Sequence, residues 1–245
     1  MKSFSVTDIG RKRKMNQDFV FNSDKPVGNL PNLYIVADGM GGHKAGDYAS
    51  RFSVQEMVKL VQEQESTSVR EIIDLSLHTV NSRLHVISET NKDMRGCGTT
   101  FVCATAKENL LYAANVGDSR LYIAGEELRQ VTVDHSLVEE MILAGSLDEA
   151  GARRHPEKNV ITRAVGVEDY LDIDFFTAEL HRGELVLMCT DGLTNMLEDA
   201  DILQILQQGN TLEEKAQALV RAANVNGGTD NISVLLVDPF MEAGM

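Results

Sequence analysis

Apolar positions along the chain follow two periodicities. Short runs rich in Val, Ile, Leu, Tyr and Thr, bounded by Gly, Asn or Asp, occur at FSVTDI (4–9), NLYIVADG (32–39), TTFVCATA (99–106), NLLYAANVGDSRLYIAG (109–125), ELVLMCTDG (184–192) and NISVLLVD (231–238). These predict β-strands, and the longest, with GDS at its centre, reads as a hairpin. LDIDFF (171–176) alternates acids with apolar residues and predicts an edge strand whose acids, Asp172 and Asp174, face water. Apolar residues at helical spacing predict helices over about 45–64, 69–91, 136–144, 199–207 and 212–225. The two long helices follow one another before most of the strands. Regular β-α-β alternation is therefore absent, which disfavours a doubly wound parallel sheet and predicts antiparallel sheets covered by helices. No internal repeat or Ser/Pro-rich linker divides residues 1–245, so a single α+β domain is expected.

Composition narrows the picture by exclusion. The chain has 245 residues, 43% apolar and 24% charged with only 4 Pro, which fits neither a disordered, a collagenous nor a coiled-coil chain. Its 37 acidic and 23 basic residues leave a net charge of −14, which argues against a general nucleic-acid binder, because phosphate contacts need clustered positive charge. Cys97, Cys103 and Cys189 cannot form a disulfide framework and none lies in a C-x-x-C pair, as suits a reducing cytoplasm. The N-terminal stretch lacks an apolar segment of signal-peptide length, and the longest apolar runs, such as LYIVA (33–37), are far shorter than a membrane span. Neither export nor membrane insertion is expected.

The chemistry is in the placement of the aspartates. Asp38 ends the run 33–37, Asp191 ends ELVLMCT, Asp118 lies in the turn of the 109–125 segment, and Asp230 precedes the strand beginning at Ile232. Carboxylates at strand ends are held by rigid backbone yet can face a shared cleft, which is how an oxygen-rich site for Mg²⁺ or Mn²⁺ is built from distant sequence. Asp-Gly pairs are also ordinary turn signals, because the Asp side chain bonds nearby backbone N–H groups. Asp38 and Asp191 are both followed by Gly, which lets the backbone approach a ligand closely.

Taken together, the blocks are more specific than their parts. NQD (16–18), VADGMGGH (36–43), GCGTT (96–100), VGDSR (116–120), DHS (134–136), CTDGL (189–193) and GGTDNIS (227–233) follow in that order. In this the chain resembles the metal-dependent protein phosphatases of type 2C, the compact bacterial branch in particular, from about residue 5 to 237. The resemblance implies a four-layer α-β-β-α sandwich, two mainly antiparallel sheets flanked by helices, with a flap segment near 136–166. It implies a serine/threonine phosphatase with two Mn²⁺ or Mg²⁺ ions per chain and a possible third. Asp38 would bridge the two ions, Asp191 and Asp230 would complete the first site, and Asp18 with the Gly39 carbonyl would hold the second. Asp118, sharing Asp191, would serve the third. Two dications about 3.5–4 Å apart activate a water and offset charge on a transferring phosphoryl group, so no side-chain nucleophile is needed.

By the same resemblance Arg13, within RKRK (11–14), grips the substrate phosphate, a role suited to the planar guanidinium. His43 would assist proton transfer or orient a metal-bound water. Met40 stands where eukaryotic relatives carry a histidine, and Gln17 where Glu is common. The flap, containing Arg153, Arg154 and His155, is the expected place for substrate selection, with His155 itself read as a local turn or cap residue. Expected partners are phosphorylated proteins and a membrane-anchored serine/threonine kinase whose action the protein reverses, as a cytoplasmic monomer.

Other chemistries fit poorly. None of the three cysteines has the Arg of a C-x5-R phosphatase loop, and GMGGHKAGD satisfies neither G-x4-G-K-[ST] nor G-x-G-x-x-G. Asp172 and Asp174 have the D-x-D spacing of an aspartyl-phosphate phosphatase, but not its early parallel-strand context. A phosphatase-like regulatory domain that binds a phosphoprotein without turnover is expected to lack metal aspartates, and this chain keeps Asp18, Asp38, Asp191 and Asp230.

Overall fold

The computed structural model describes residues 1–42 and 44–241. The strands, in chain order, are β1 (Lys2–Asp8), β2 (Asp18–Ser23), β3 (Leu33–Met40), β4 (Gly98–Thr99), β5 (Phe101–Lys107), β6 (Leu110–Val116), β7 (Arg120–Ala124), β8 (Leu128–Gln130), β9 (Asp174–Glu179), β10 (Leu185–Cys189) and β11 (Ile232–Asp238). The helices are α1 (Ala45–Glu63), α2 (Val69–Thr90), α3 (Leu137–Leu143), α4 (Glu149–Ala152), α5 (Asp191–Thr194), α6 (Asp199–Gln207) and α7 (Leu212–Val225). One sheet runs β1-β11-β10-β7-β8 and the other β2-β3-β5-β6-β9, with β4 added to the end of β3. All the pairings are antiparallel.

Three cores make four layers. Along β3, Leu33, Ile35 and Ala37 face α1 and α2, while Tyr34 and Val36 face the opposite sheet. Along β10, Leu187 and Cys189 pack under α6 and α7, while Val186 and Met188 join the inter-sheet core. Each sheet is thus buried on both faces by period-2 alternation, which is why its strands read as continuous apolar runs, although such runs are commoner in parallel sheets. Burying one such Leu, Ile or Val is worth about 1.5–3 kcal/mol.

Helix starts follow side-chain chemistry visible in the sequence. Ser68, Ser136 and Thr211 cap α2, α3 and α7 by accepting the N–H of Glu71, Glu139 and Glu214, three residues on in each case. The predicted helices therefore appear within one residue of their expected bounds.

Two expectations need correction. The 109–125 segment is not a hairpin: β6 lies in one sheet and β7 in the other, so the 117–119 turn crosses the sandwich. The hairpin in this region is β5 to β6, where Glu108 takes a positive φ of 58°. β9 is an edge strand as expected, but Asp174 does not simply face water; it binds His135 and Arg163.

Candidate metal centre

The start of β2, the end of β3, the 117–119 crossing, the end of β10 and the approach to β11 meet at one end of the sandwich. Asp18 and Asp38 are direct cross-strand partners. Asp118 lies in the crossing, Asp191 opens α5 straight after β10, and Asp230 precedes β11. Asp18, Asp38, Asp118 and Asp191 are each raised in pKa by burial and by the charge of other acids in this group. Burial, then Asp191 and Asp230, push Asp18 up to about 7, with hydrogen bonds from Ser233 and Thr190 opposing. Burial and the repulsion of Asp230 push Asp191 up to about 6, against Arg120, Arg13 and Lys158. Asp38 is held well above the ordinary carboxyl value by burial and by Asp18, Asp191, Asp118 and Asp230, and Asp118 by burial, Asp191 and Asp134.

The backbone carrying these acids is tied down by small polar residues. Thr190 Oγ1 and Ser233 Oγ donate to Asp18 Oδ2 at 2.9 and 2.7 Å. Asn195 donates to Asp191 Oδ2 at 2.9 Å. In each acid the other oxygen, Oδ1, is buried without a hydrogen-bond partner. A buried carboxylate oxygen left unpaired is costly unless a cation completes it. The Asp38 N–H donates to Thr100 Oγ1 at 2.9 Å, and the Asp38 carbonyl accepts from Thr99 Oγ1 and the Thr100 N–H, both at 2.8 Å. Thr100 Oγ1 also lies 2.7 Å from Ser119 Oγ, which links Asp38 to the turn carrying Asp118.

The glycines after Asp38 and Asp191 serve protein packing. A Cβ on Gly39 would stand 2.0 Å from the Gly46 carbonyl oxygen, and one on Gly192 would stand 1.8 Å from that of Asn231. The close approach that these glycines permit includes one to neighbouring backbone.

Arg13 is delivered by a clamp. The Arg11 and Lys12 N–H groups donate to the Gly228 carbonyl, and Asn231 Nδ2 donates to the carbonyls of Ile9 and Met15. The guanidinium reaches Asp230 Oδ2 at 2.6 Å while half of the side chain stays exposed. Arg13, Asp18, Asp38, Gly39, Asp118, Asp191 and Asp230 therefore gather at one end of the fold; His43 lies outside the described residues. Among the described residues no three His, Cys, Asp or Glu side chains stand, as placed, close enough together to hold a metal ion, so the aspartates converge without forming a finished ligand set. The cluster is open and all-oxygen, a donor set for a hard cation such as Mg²⁺ or Mn²⁺ that keeps several waters.

A cleft of about 560 Å³ opens from the Asp118 and Asp191 edge of the cluster towards the flap, where Arg153, Arg154 and Lys158 line it. The base of the flap is closed by a bridge between Ser136 and Ile161. Arg153 binds Glu198 at 3.0 Å and the Thr194 carbonyl at 3.3 Å, fastening the flap to α5 and α6. His155 accepts the Glu157 N–H through Nδ1 at 3.2 Å, a local bond within the flap.

Residues 10–225 match the family described as Protein phosphatase 2C. The chain belongs to the protein phosphatase 2C family. It is 40% identical over 240 residues to the serine/threonine phosphatase stp of Listeria innocua, covering 95% of this chain and 93% of that one. Among solved structures, the S. agalactiae serine/threonine phosphatase superposes with a TM-score of 0.89 at 38% identity, covering 96% of this chain and 98% of its own. The catalytic domain of PstP in complex with two manganese ions superposes at 0.85 with 28% identity, over 97% of each chain. For this 2C-family chain the expected four-layer sandwich is the observed one.

Sequence reasoning missed the residues that hold the 2C-family aspartates in place. Thr100, Ser119, Thr190, Ser233 and Asn231 lie inside the motif blocks beside the acids, yet their side-chain bonds reach across 19 residues of sequence at Thr100 and Ser119 and up to 222 at Asn231, and no local pattern announces them.

Proposed function

We propose that this protein is a metal-dependent phosphatase that hydrolyses phosphoserine and phosphothreonine in proteins. The observation that carries the reading is the convergence of five aspartates, two of them with a buried, unpartnered oxygen, beside the guanidinium of Arg13. Asp38 would be shared between two Mn²⁺ or Mg²⁺ ions, with Asp191 and Asp230 on one, Asp18 and the Gly39 carbonyl on the other, and Asp118 with Asp191 on a third. Bound dications supply an activated water for in-line attack and offset charge on the phosphoryl oxygens.

The rest is done by the chain itself. Thr190 and Ser233 occupy one oxygen of Asp18 and Asn195 one oxygen of Asp191, so each acid presents its remaining oxygen in a fixed direction. Arg13 exchanges Asp230 for a phosphoryl group, which its fork of N–H donors holds in line. Thr99 and Thr100 keep the Asp38 backbone from shifting as charge moves. His43 completes the reading as a proton-transfer or water-orienting group.

Phosphoproteins are the substrates in this reading, and a serine/threonine kinase acting on the same proteins is the natural opponent. The enzyme works as a cytoplasmic monomer; among the described residues no helix is long and apolar enough to cross a membrane. A turnover-deficient regulatory domain is not favoured, because none of the five aspartates is replaced and the relatives are named as phosphatases. The deciding assay is hydrolysis of p-nitrophenyl phosphate and of a phosphothreonine peptide. Turnover is expected with Mn²⁺, and is expected to disappear on chelation and in Asp38→Asn and Asp191→Asn; metal-independent turnover or full activity in either variant would defeat the reading.

A further inference from the structure

Beside the acidic cluster lies a polar network, buried at His135 and Asn115 and open to solvent at Arg163 and Asp174, that none of these roles uses. Gly117, the residue before Asp118, is held on both sides by His135. The Gly117 N–H donates to His135 Nδ1 at 3.1 Å, and the His135 N–H donates to the Gly117 carbonyl at 3.0 Å. Gly117 has φ +105°, and a Cβ there would stand 2.7 Å from the Thr100 side chain, so the clamp fixes a conformation that only glycine adopts freely. Asn115 Nδ2 adds a third bond, to the same carbonyl, at 3.1 Å.

The imidazole is oriented in turn. Its ring is buried, and Nε2 lies 3.1 Å from Asp174 Oδ2. Because Nδ1 accepts from Gly117, Nε2 carries the proton and donates to Asp174. Arg163 donates to the other Asp174 oxygen at 3.0 Å and binds Asp172 at 3.0 Å. The His135 carbonyl accepts the Thr162 N–H at 2.8 Å, next to the bridge between Ser136 and Ile161. One residue therefore holds both the crossing that carries Asp118 and the base of the flap.

We propose that His135 is the positioning residue of Asp118: its ring sets the 117–119 crossing, Asp174 and Arg163 set the ring, and Asp118 and the flap base move as one unit. The inference rests on the reading of Asp118 as a metal ligand. Its consequence is that the Asp118 metal site and the placement of the flap are coupled through His135, although His135 touches neither metal nor substrate.

The test compares His135→Leu, which fills the space without an acceptor, with His135→Asn, whose side-chain oxygen can still receive the Gly117 N–H. In metal-free protein, amide exchange at Gly117 is expected to accelerate at least tenfold in His135→Leu and to return towards the parent rate in His135→Asn. In calorimetric Mn²⁺ titration, His135→Leu is expected to weaken the site that Asp118→Asn abolishes by about 10–100-fold, the usual effect of losing an outer partner of a ligand. Asp174→Leu should weaken the same site, which provides the measurement if His135→Leu does not fold. Adding His135→Leu to Asp118→Asn should cost no further kcat, whereas a merely structural role would make the losses add. Additive losses, or parent Mn²⁺ affinity in folded His135→Leu, would overturn the proposal. Asp38→Asn in the same series separates the two readings: if it is inactive while the His135 and Asp118 losses add, only the positioning role fails, and if it keeps full activity the phosphatase reading fails first.

Discussion

In the proposed function Arg13 is the residue through which a net-negative protein captures a phosphate. The chain carries a charge of −14, so capture depends on local positive charge. Arg13 is half exposed, bound to Asp230 by one nitrogen, and delivered by a loop whose backbone is fastened to Gly228 and Asn231. A side chain fixed at its root and free at its tip can move from a carboxylate to a phosphoryl group. Arg13→Ala is therefore expected to raise KM for a phosphosubstrate by about tenfold or more, the loss of a hydrogen bond to a charged group, while the Mn²⁺ concentration for half-activation changes little. Arg13→Lys should fall between the two, since it keeps the charge and loses the fork. Steady-state kinetics at saturating Mn²⁺ measures this, and an unchanged KM in Arg13→Ala would remove Arg13 from the phosphate. The aspartates were legible in the sequence because each sits in a distinctive block, and Arg13 only through the resemblance those blocks carry. The residues that aim them were not: Thr190 and Ser233 bond Asp18 from 172 and 215 positions away, and a Ser or Thr looks the same in sequence whichever oxygen it meets.

At the level of elements, the site is made where strands end and chain direction changes. The helices were readable because apolar residues recur at helical spacing, with the starts of three of them then fixed by Ser68, Ser136 and Thr211, and the strands because both faces of each sheet are buried. The 117–119 turn was not readable as a crossing. A local pattern shows two strands and a tight turn, while the choice between pairing with each other and joining different sheets is made by partners such as β10 and β9, more than 50 residues away. That choice places Asp118 at the mouth of the sandwich. The four-residue helix α5 escaped for a different reason, since one turn offers no periodicity to detect. It brings its first residue, Asp191, to the cluster only because Gly192 lets it lie against Asn231. Gly192→Ala is expected to cost about 1–3 kcal/mol, as overpacking in a closed site does, and to reduce Mn²⁺ affinity by moving Asp191. Gly125→Ala, where the nearest neighbour is the flexible Glu184 side chain at 3.3 Å, should stay within about 0.5 kcal/mol. Urea denaturation of both variants checks this; equal stability would mean that the backbone at α5 yields easily.

For the whole molecule, the acidic cluster makes stability depend on pH and on metal together. Burial and neighbouring acids push Asp18 up to about 7 and Asp191 up to about 6, against 3.8 for an ordinary Asp, and Asp38 and Asp118 are raised as well. Between about pH 4 and 7 the folded chain thus holds protons that the unfolded chain has released, so the metal-free protein loses stability as pH rises through that window. Cation binding requires the deprotonated acids, so metal affinity increases over the same range. The two effects oppose each other. In the presence of chelator, the melting temperature is expected to fall by several degrees between pH 5 and pH 7.5. Mn²⁺ at about 100 times its Kd should add about 2.7 kcal/mol per site at pH 7.5, which is about 5–10 °C for a chain of this size, and much less at pH 5. Asp18→Asn removes one of these raised groups and should flatten the pH dependence of the chelated protein. Thermal melts at the two pH values, with chelator and with Mn²⁺, separate the contributions: a chelated protein equally stable at both, and unmoved by Mn²⁺, would show that the aspartates neither repel one another nor share a cation.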